Sequence, residues 1–231
     1  MKPAVKMIVF DVDGVLVDVS KSFHRSTIQT VKLFTGRAVS DVDIQKWKSK
    51  GGFNDDWRLT TALIRELGGR ASYQEVKRRF MKFYWGEDRP GNVSRERWLV
   101  PLARLRRWAR RFELSLFTGR TREELSYTLR RNKVEGVFRH VVTMDDDTRL
   151  KPHPDGLLRI LNGRDPNRAI YLGDNVDDAI AARKAGVIFL GVLRRNSQAR
   201  RLKGAALRRE GARTILHSAL DLDEWLKNEV A

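Results

Sequence analysis

No cysteine occurs in the chain, which excludes disulfides and thiolate metal sites and leaves every redox compartment open. Histidine is scarce, at four residues, and His24, His140, His153 and His217 share no spacing that would gather them on one metal. All four read as structural or surface residues. No stretch approaches the ~18 consecutive apolar residues of a membrane span. Met1 to Ala4 run directly into the first apolar segment with no secretory h-region in front of it, so the expected location is cytoplasmic, without a membrane partner. Internal repeats and low-complexity tracts are missing as well.

What is abundant is positive charge, with 46 Lys+Arg against 29 Asp+Glu and a net charge of +17. Arg104, Arg106, Arg107, Arg110 and Arg111 interleave with Leu102, Leu105, Trp108 and Phe112, which is the wet face of an amphipathic helix. Arg194, Arg195, Arg200, Arg201, Lys203, Arg208, Arg209 and Arg213 form a denser late cluster. Both groups read as solvated surface charge, and a positive field also draws in a small phosphorylated substrate. Nucleic acid is the competing reading, weakened by the absence of aromatic–basic alternation.

The length of 231 residues, 41% hydrophobic, suits one domain with an insertion or two small domains. A first strand, about residues 5–10, is followed by four helical segments with no strand between them. They begin near Ser20, at Ser40 with Asp43 three residues on, after Asn54-Asp55, and at Ser72 with Glu75 as a capping box. After Pro90-Gly91 the pattern becomes strand–helix alternation, with strands at about 114–117, 141–143, 169–172, 187–190 and 214–216. Alternation of this kind predicts an α/β fold, a doubly wound, Rossmann-like parallel sheet. The expected division is a core of residues 1–16 plus 91–231 and an inserted all-helical cap of 17–90.

Chemistry-bearing residues gather where these strands end. Met7-Ile8-Val9-Phe10 breaks into Asp11-Val12-Asp13-Gly14, placing two carboxylates on one side of a fraying strand. Such a pair suits a bound cation, or a nucleophile beside a proton carrier; an ordinary Asp-Gly turn is the plain alternative. Thr118 and Gly119 end a second strand. Lys151 precedes a helix start, where a cation and peptide dipoles meet an anion. Gly173-Asp174-Asn175-Val176-Asp177-Asp178 ends another. Alone, each has a bland reading: helix cap, surface lysine, acidic helix start. Together they supply what phosphoryl transfer requires: a nucleophile, a proton carrier, cationic donors and hard oxygen ligands.

The four motifs, in this order, resemble those of the haloacid dehalogenase superfamily of phosphatases, in the phosphoglycolate phosphatase-like subgroup with a helical cap after the first strand. The resemblance implies that Asp11 is the nucleophile forming an aspartyl-phosphate and Asp13 the general acid and base. It implies Mg²⁺ held by Asp11, the Asp13 carbonyl, Asp174 and Asp178, with Asp177 competing for the last role. Thr118, Gly119 and Lys151 match its phosphate-binding positions. The superfamily's true dehalogenases lack the second aspartate of the first motif and use no Mg²⁺, so Asp13 and Asp174 argue against dehalogenation.

Specificity in this subgroup belongs to the cap. The loop Lys50-Gly51-Gly52-Phe53-Asn54-Asp55-Asp56-Trp57 reads as a substrate lid, with Phe53 among its specificity residues and Asn54 and Asp55 meeting polar or cationic groups on the leaving alcohol; the plain alternative is a helix connection with an Asn or Asp cap. The loop is similar to one in a branch of the family linked to histidine biosynthesis, which makes histidinol phosphate a candidate. Arg25 instead suits a substrate carboxylate, as in phosphoglycolate. The expected activity is Mg²⁺-dependent hydrolysis of a small phosphorylated metabolite. A phosphomutase or phosphotransferase on the same scaffold and a nucleic-acid end phosphatase are the alternatives. Monomer and homodimer are both left open.

Overall fold

The computed structural model describes residues 5–87, 90–194 and 200–230. In chain order the elements are β1 (Met7–Phe10), β2 (Val17–Asp18), α1 (Phe23–Thr35), α2 (Asp41–Lys48), α3 (Asp56–Glu66), α4 (Tyr73–Trp85), β3 (Arg97–Trp98), α5 (Leu102–Ala109), β4 (Glu113–Phe117), α6 (Arg122–Arg131), β5 (His140–Val142), α7 (Asp155–Leu161), β6 (Ala169–Gly173), α8 (Val176–Ala185), β7 (Ile188–Val192), α9 (Arg200–Arg209), β8 (Thr214–Leu216) and α10 (Leu222–Val230). None of the described helices is long and apolar enough to cross a membrane.

The chain divides into two units, one of Met1–Val17 with Trp98–Ala231 and one of Asp18–Arg97. The sequence pattern places the boundaries at 16/17 and 90/91. The later return has a physical cause: a 3₁₀ turn over Asn92–Arg95 belongs to the helical unit. Asn92 Nδ2 donates to Ser26 Oγ and Gln29 Oε1 on α1, at 3.0 and 2.6 Å.

In the first unit, six parallel strands run in the order β5-β4-β1-β6-β7-β8. The four residues of β1 are all buried, as a central strand covered on both faces requires. Met7 and Val9 join Phe117, Leu157, Tyr171 and Ala182 in a continuous core. The order reverses at β1, which places the loops after β1, β4 and β6 side by side at the carboxyl edge of the sheet, where α/β sheets bind ligands. Gly156, at the start of α7, lets that helix close on β4: a Cβ there would lie 2.2 Å from Phe117 Cε2.

The second unit is helical apart from its end residues Asp18 and Arg97, which belong to β2 and β3, and has a core of Val31, Ile44, Leu59, Leu63, Ile64 and Val76. Ser40 and Ser72 form capping boxes with Asp43 and Glu75, each satisfying backbone donors that the first turn leaves unpaired.

Gly156→Ala should destabilise the protein by about 1–3 kcal/mol, because overpacking against the Phe117 ring outweighs the better helix propensity of alanine. Urea unfolding checks this. An unchanged midpoint would show that α7 slides freely on β4.

Candidate active site at the sheet edge

Lys151 lies at the centre of the carboxyl edge. Its Nζ is 2.9 Å from Asp11 Oδ1 and 2.7 Å from Asp178 Oδ1, and the three side chains are at most 5% exposed. Beneath it lie the rings of Phe117 and Tyr171, with centroids 4.7 and 5.4 Å from Nζ. Burial opposes the ammonium charge, yet Asp11 and Asp178 hold its pKa up to about 12. Asp11 shows the reverse balance. Burial drives its carboxyl well above the usual range against the pull of Lys151, and Asp178, Asp13 and Asp174 push the same way.

Each carboxylate has partners that fix it. Asp178 accepts from the Tyr171 hydroxyl at 2.7 Å and from the Asp174 and Asn175 amides at 3.1 and 3.0 Å. Asp13 accepts from Arg120 through Nε at 2.8 Å and Nη2 at 2.7 Å, and the Arg120 side chain is fully buried. Arg120 Nη1 donates to Thr128 Oγ1 on α6 at 2.6 Å. Asp174 Oδ2 accepts from Lys203 Nζ on α9 at 2.9 Å. Gly14 sits at φ +76°, and a Cβ there would fall 2.4 Å from the same Oδ2. A side chain at position 14 would therefore be strained in its backbone and would collide with Asp174.

Oxygens of Asp11, Asp174 and Asp178 lie within 4.8 Å of one another. Hard carboxylate oxygens at this spacing fit Mg²⁺, which takes oxygen ligands and keeps part of its water. Asp178 belongs to this group, whereas Asp177, equally buried, does not. Thr118 is buried at the end of β4, and its Oγ1 accepts from the Arg120 amide at 3.1 Å. Gly119 follows it directly.

Residues 102–192 match the family model for haloacid dehalogenase-like hydrolases. An imidazoleglycerol-phosphate dehydratase of Phytophthora nicotianae is 32% identical over 95% of this chain, which covers 52% of that protein. The chain thus spans about half the length of that curated relative. Phosphoglycolate phosphatase 1 of Pseudomonas aeruginosa is 26% identical over 79% of the chain and 67% of its own length. A solved structure from Haemophilus somnus, described as a predicted phosphoglycolate phosphatase, shares the fold with a TM-score of 0.75, at 19% identity and coverage of 96% and 97% of the two chains.

The likeness to haloacid dehalogenase-like hydrolases extends over residues 102–192. In this chain the strand ends bring together Asp11, Asp13, Thr118, Lys151, Asp174 and Asp178, all expected from sequence. Three partners were not expected. Arg120 and Tyr171 carried only weak signals, an arginine two residues beyond Thr118 and a hydroxyl inside an otherwise apolar strand. Lys203 was grouped with the solvated surface cations, and the structure corrects that: its side chain is 3% exposed and turned onto Asp174. Arg195 of the same cluster lies outside the described residues, as do Met1 to Ala4.

The cap residues belong to the helical unit. Arg25 is exposed on α1, and Asn54 is half-buried in the loop before α3. Phe53 packs edge-on against Trp47 at 4.8 Å, on the unit's own core. Asp55 is the N-cap of α3. Its Oδ1 accepts from the Trp57 and Arg58 amides at 2.9 and 3.1 Å, and its Oδ2 accepts from the Tyr73 hydroxyl at 2.9 Å. Both oxygens are thus engaged in holding the helix. Of the histidines, His24 is buried and pairs through Nδ1 with Asp41 at 2.9 Å, linking α1 to α2. No histidine joins the carboxylate group among the described residues.

One buried acid beside the site carries a pH signature. Glu124 accepts from the Thr121 amide through Oε2 at 2.8 Å, while Oε1 is buried without a hydrogen-bond partner. Burial pushes its pKa from the ordinary 4.5 up to about 7. The folded state therefore binds more protons than the unfolded state across that window. The contribution is fully present below pH 4.5 and is lost as pH rises through 7. Glu124→Gln keeps the acceptor and abolishes the titration. The variant should gain stability relative to the parent on going from pH 4.5 to 8, by up to about 3 kcal/mol. Denaturant unfolding across that range measures it, and a pH-independent difference would contradict the assignment.

Proposed function

We propose that this chain is a Mg²⁺-dependent phosphatase of small phosphomonoesters that works through an aspartyl-phosphate on Asp11. The observation that carries the reading is the Lys151 ammonium held between Asp11 and Asp178, with the Asp174 carboxylate joining theirs within 4.8 Å. This pairs a nucleophile with a fixed cation on one side and a set of hard oxygen ligands on the other.

In this reading, an Asp11 oxygen attacks phosphorus, and the bond to the leaving alcohol breaks. The Asp13 carboxyl gives its proton to the departing alkoxide. Water then attacks the acyl phosphate and Asp13 takes its proton; inorganic phosphate leaves and Asp11 is regenerated. Lys151, the Thr118 hydroxyl and the Gly119 amide receive the equatorial oxygens, where charge spreads in the transition state. Asp11, the Asp13 carbonyl, Asp174 and Asp178 would hold a divalent ion, which would supply neutralisation of the phosphoryl charge. Arg120 holds Asp13 in place through two donor atoms, and Tyr171 holds Asp178.

For the alcohol, the first ester to test is histidinol phosphate. The relative matching 95% of this chain is named for an imidazole-bearing phosphate ester, while the phosphoglycolate phosphatase matches less of the chain at lower identity. The kcat/KM for histidinol phosphate should exceed that for phosphoglycolate or hexose phosphates by about tenfold or more, the scale that one set of polar contacts supplies. Preference for phosphoglycolate would overturn this choice and bring forward a carboxylate-binding role for Arg25.

Hydrolysis of p-nitrophenyl phosphate should require Mg²⁺ and vanish in excess EDTA. Asp11→Asn should remove at least about 10³-fold of kcat while the thermal transition persists. Equal rates with and without EDTA would exclude the metal, and near-normal turnover by Asp11→Asn would exclude the covalent step.

A further inference from the structure

Lys203 is a basic residue of α9 that turns away from solvent. Its side chain is 3% exposed, and its Nζ is 2.9 Å from Asp174 Oδ2. Asp174 is the most open member of the carboxylate group, with its side chain 23% exposed. Its Oδ2 is confined on one side by the Gly14 backbone and on the other by Lys203. Asp11 and Asp178 share the Lys151 ammonium. Three carboxylates thus face two ammonium groups, one of which nothing in the four motifs accounts for.

We infer that Lys203 is a positioning residue that holds Asp174 and, by its charge, weakens the grip of the carboxylate pocket on its divalent cation. The inference rests on the metal-dependent reading given above. Two effects of opposite sign compete. An outer partner that orients a metal ligand strengthens binding, and its loss typically weakens affinity ten- to a hundredfold. A lysine, however, brings a full positive charge onto the carboxylate that the ion must share. Affinity at oxygen sites is tuned by ligand charge. Repulsion between a unit charge and a double charge on one partly buried carboxylate exceeds the orientation effect by Coulomb's law at effective dielectrics near 20. Orientation is also partly secured without Lys203, because the Asp174 amide is tied to Asp178 Oδ2 at 3.1 Å and Gly14 walls off the carboxylate. Charge therefore decides the sign: neutralising position 203 tightens the site.

The experiment is calorimetric titration of MgCl₂ into the chelator-stripped protein, with the Mg²⁺-induced rise in Tm as a second readout. Lys203→Met and Lys203→Gln should bind Mg²⁺ about tenfold or more tightly than the parent and show a larger Tm rise. Lys203→Arg, which keeps the charge, should stay within about threefold of the parent. Lys203→Gln retains a donor for Asp174, so it separates charge from packing if Lys203→Met is poorly folded without metal. Equal or weaker Mg²⁺ binding by a folded Lys203→Gln, with the parent saturating normally, would overturn this inference alone. A parent that takes up no Mg²⁺ would overturn the metal reading and this inference with it.

Discussion

Four carboxylates, those of Asp11, Asp13, Asp174 and Asp178, stand at the ends of two adjacent parallel strands, and their mutual repulsion is the constraint that the surrounding structure answers. Burial intensifies the problem, since a carboxylate removed from water without a partner is costly. The structure brings three cations to them: Lys151 from the loop before α7, Arg120 from the loop before α6 and Lys203 from α9. Each comes from a different crossover of the sheet. The strand order β4-β1-β6 is what allows these segments to converge on one edge. Phe117 and Tyr171, on the two strands flanking β1, floor the pocket beneath Lys151. The core residues that hold the sheet together therefore also fix the lysine against Asp11.

The arrangement was legible wherever local chemistry and chain geometry agreed. Asp11, Asp13, Thr118, Lys151, Asp174 and Asp178 stood out because each follows an apolar run or precedes a helix start, where a polar residue is unusual or exposed to ligand. Arg120 and Lys203 could not be separated from the chain's many surface cations. Their roles come from partners 107 and 29 positions away in sequence, and no local periodicity records such a pairing. Tyr171 fits its strand equally well as an apolar aromatic residue; its hydroxyl finds its partners in Asp178 and the Phe117 carbonyl, both distant from it in the local pattern.

The helical unit was read correctly as four helices, because capping boxes at Ser40 and Ser72 announce helix starts by chemistry alone. Its loop before α3 was harder. An Asn-Asp pair after two glycines serves a lid and a helix cap equally well on paper. The structure shows that Asp55 spends both oxygens on the α3 amides and Tyr73, and that Phe53 packs on its own unit's core. The positive-φ pair Gly51-Gly52 makes the turn, while Phe53 against Trp47 anchors it.

The separation along the chain between Asp11 and Lys151, 140 residues, has a consequence for a protein made from its amino end. The helical insert is contiguous and emerges whole while β1 still waits for both of its neighbouring strands. Until β6 leaves the ribosome, the segment Met7–Phe10 is a short, fully apolar strand with no partner on one side, followed by aspartates whose counter-charges, Arg120 and Lys151, are made only after the helical insert. The acidic turn of Asp11 and Asp13 thus gives a sticky segment a charged flank, which disfavours its pairing with a neighbouring nascent chain.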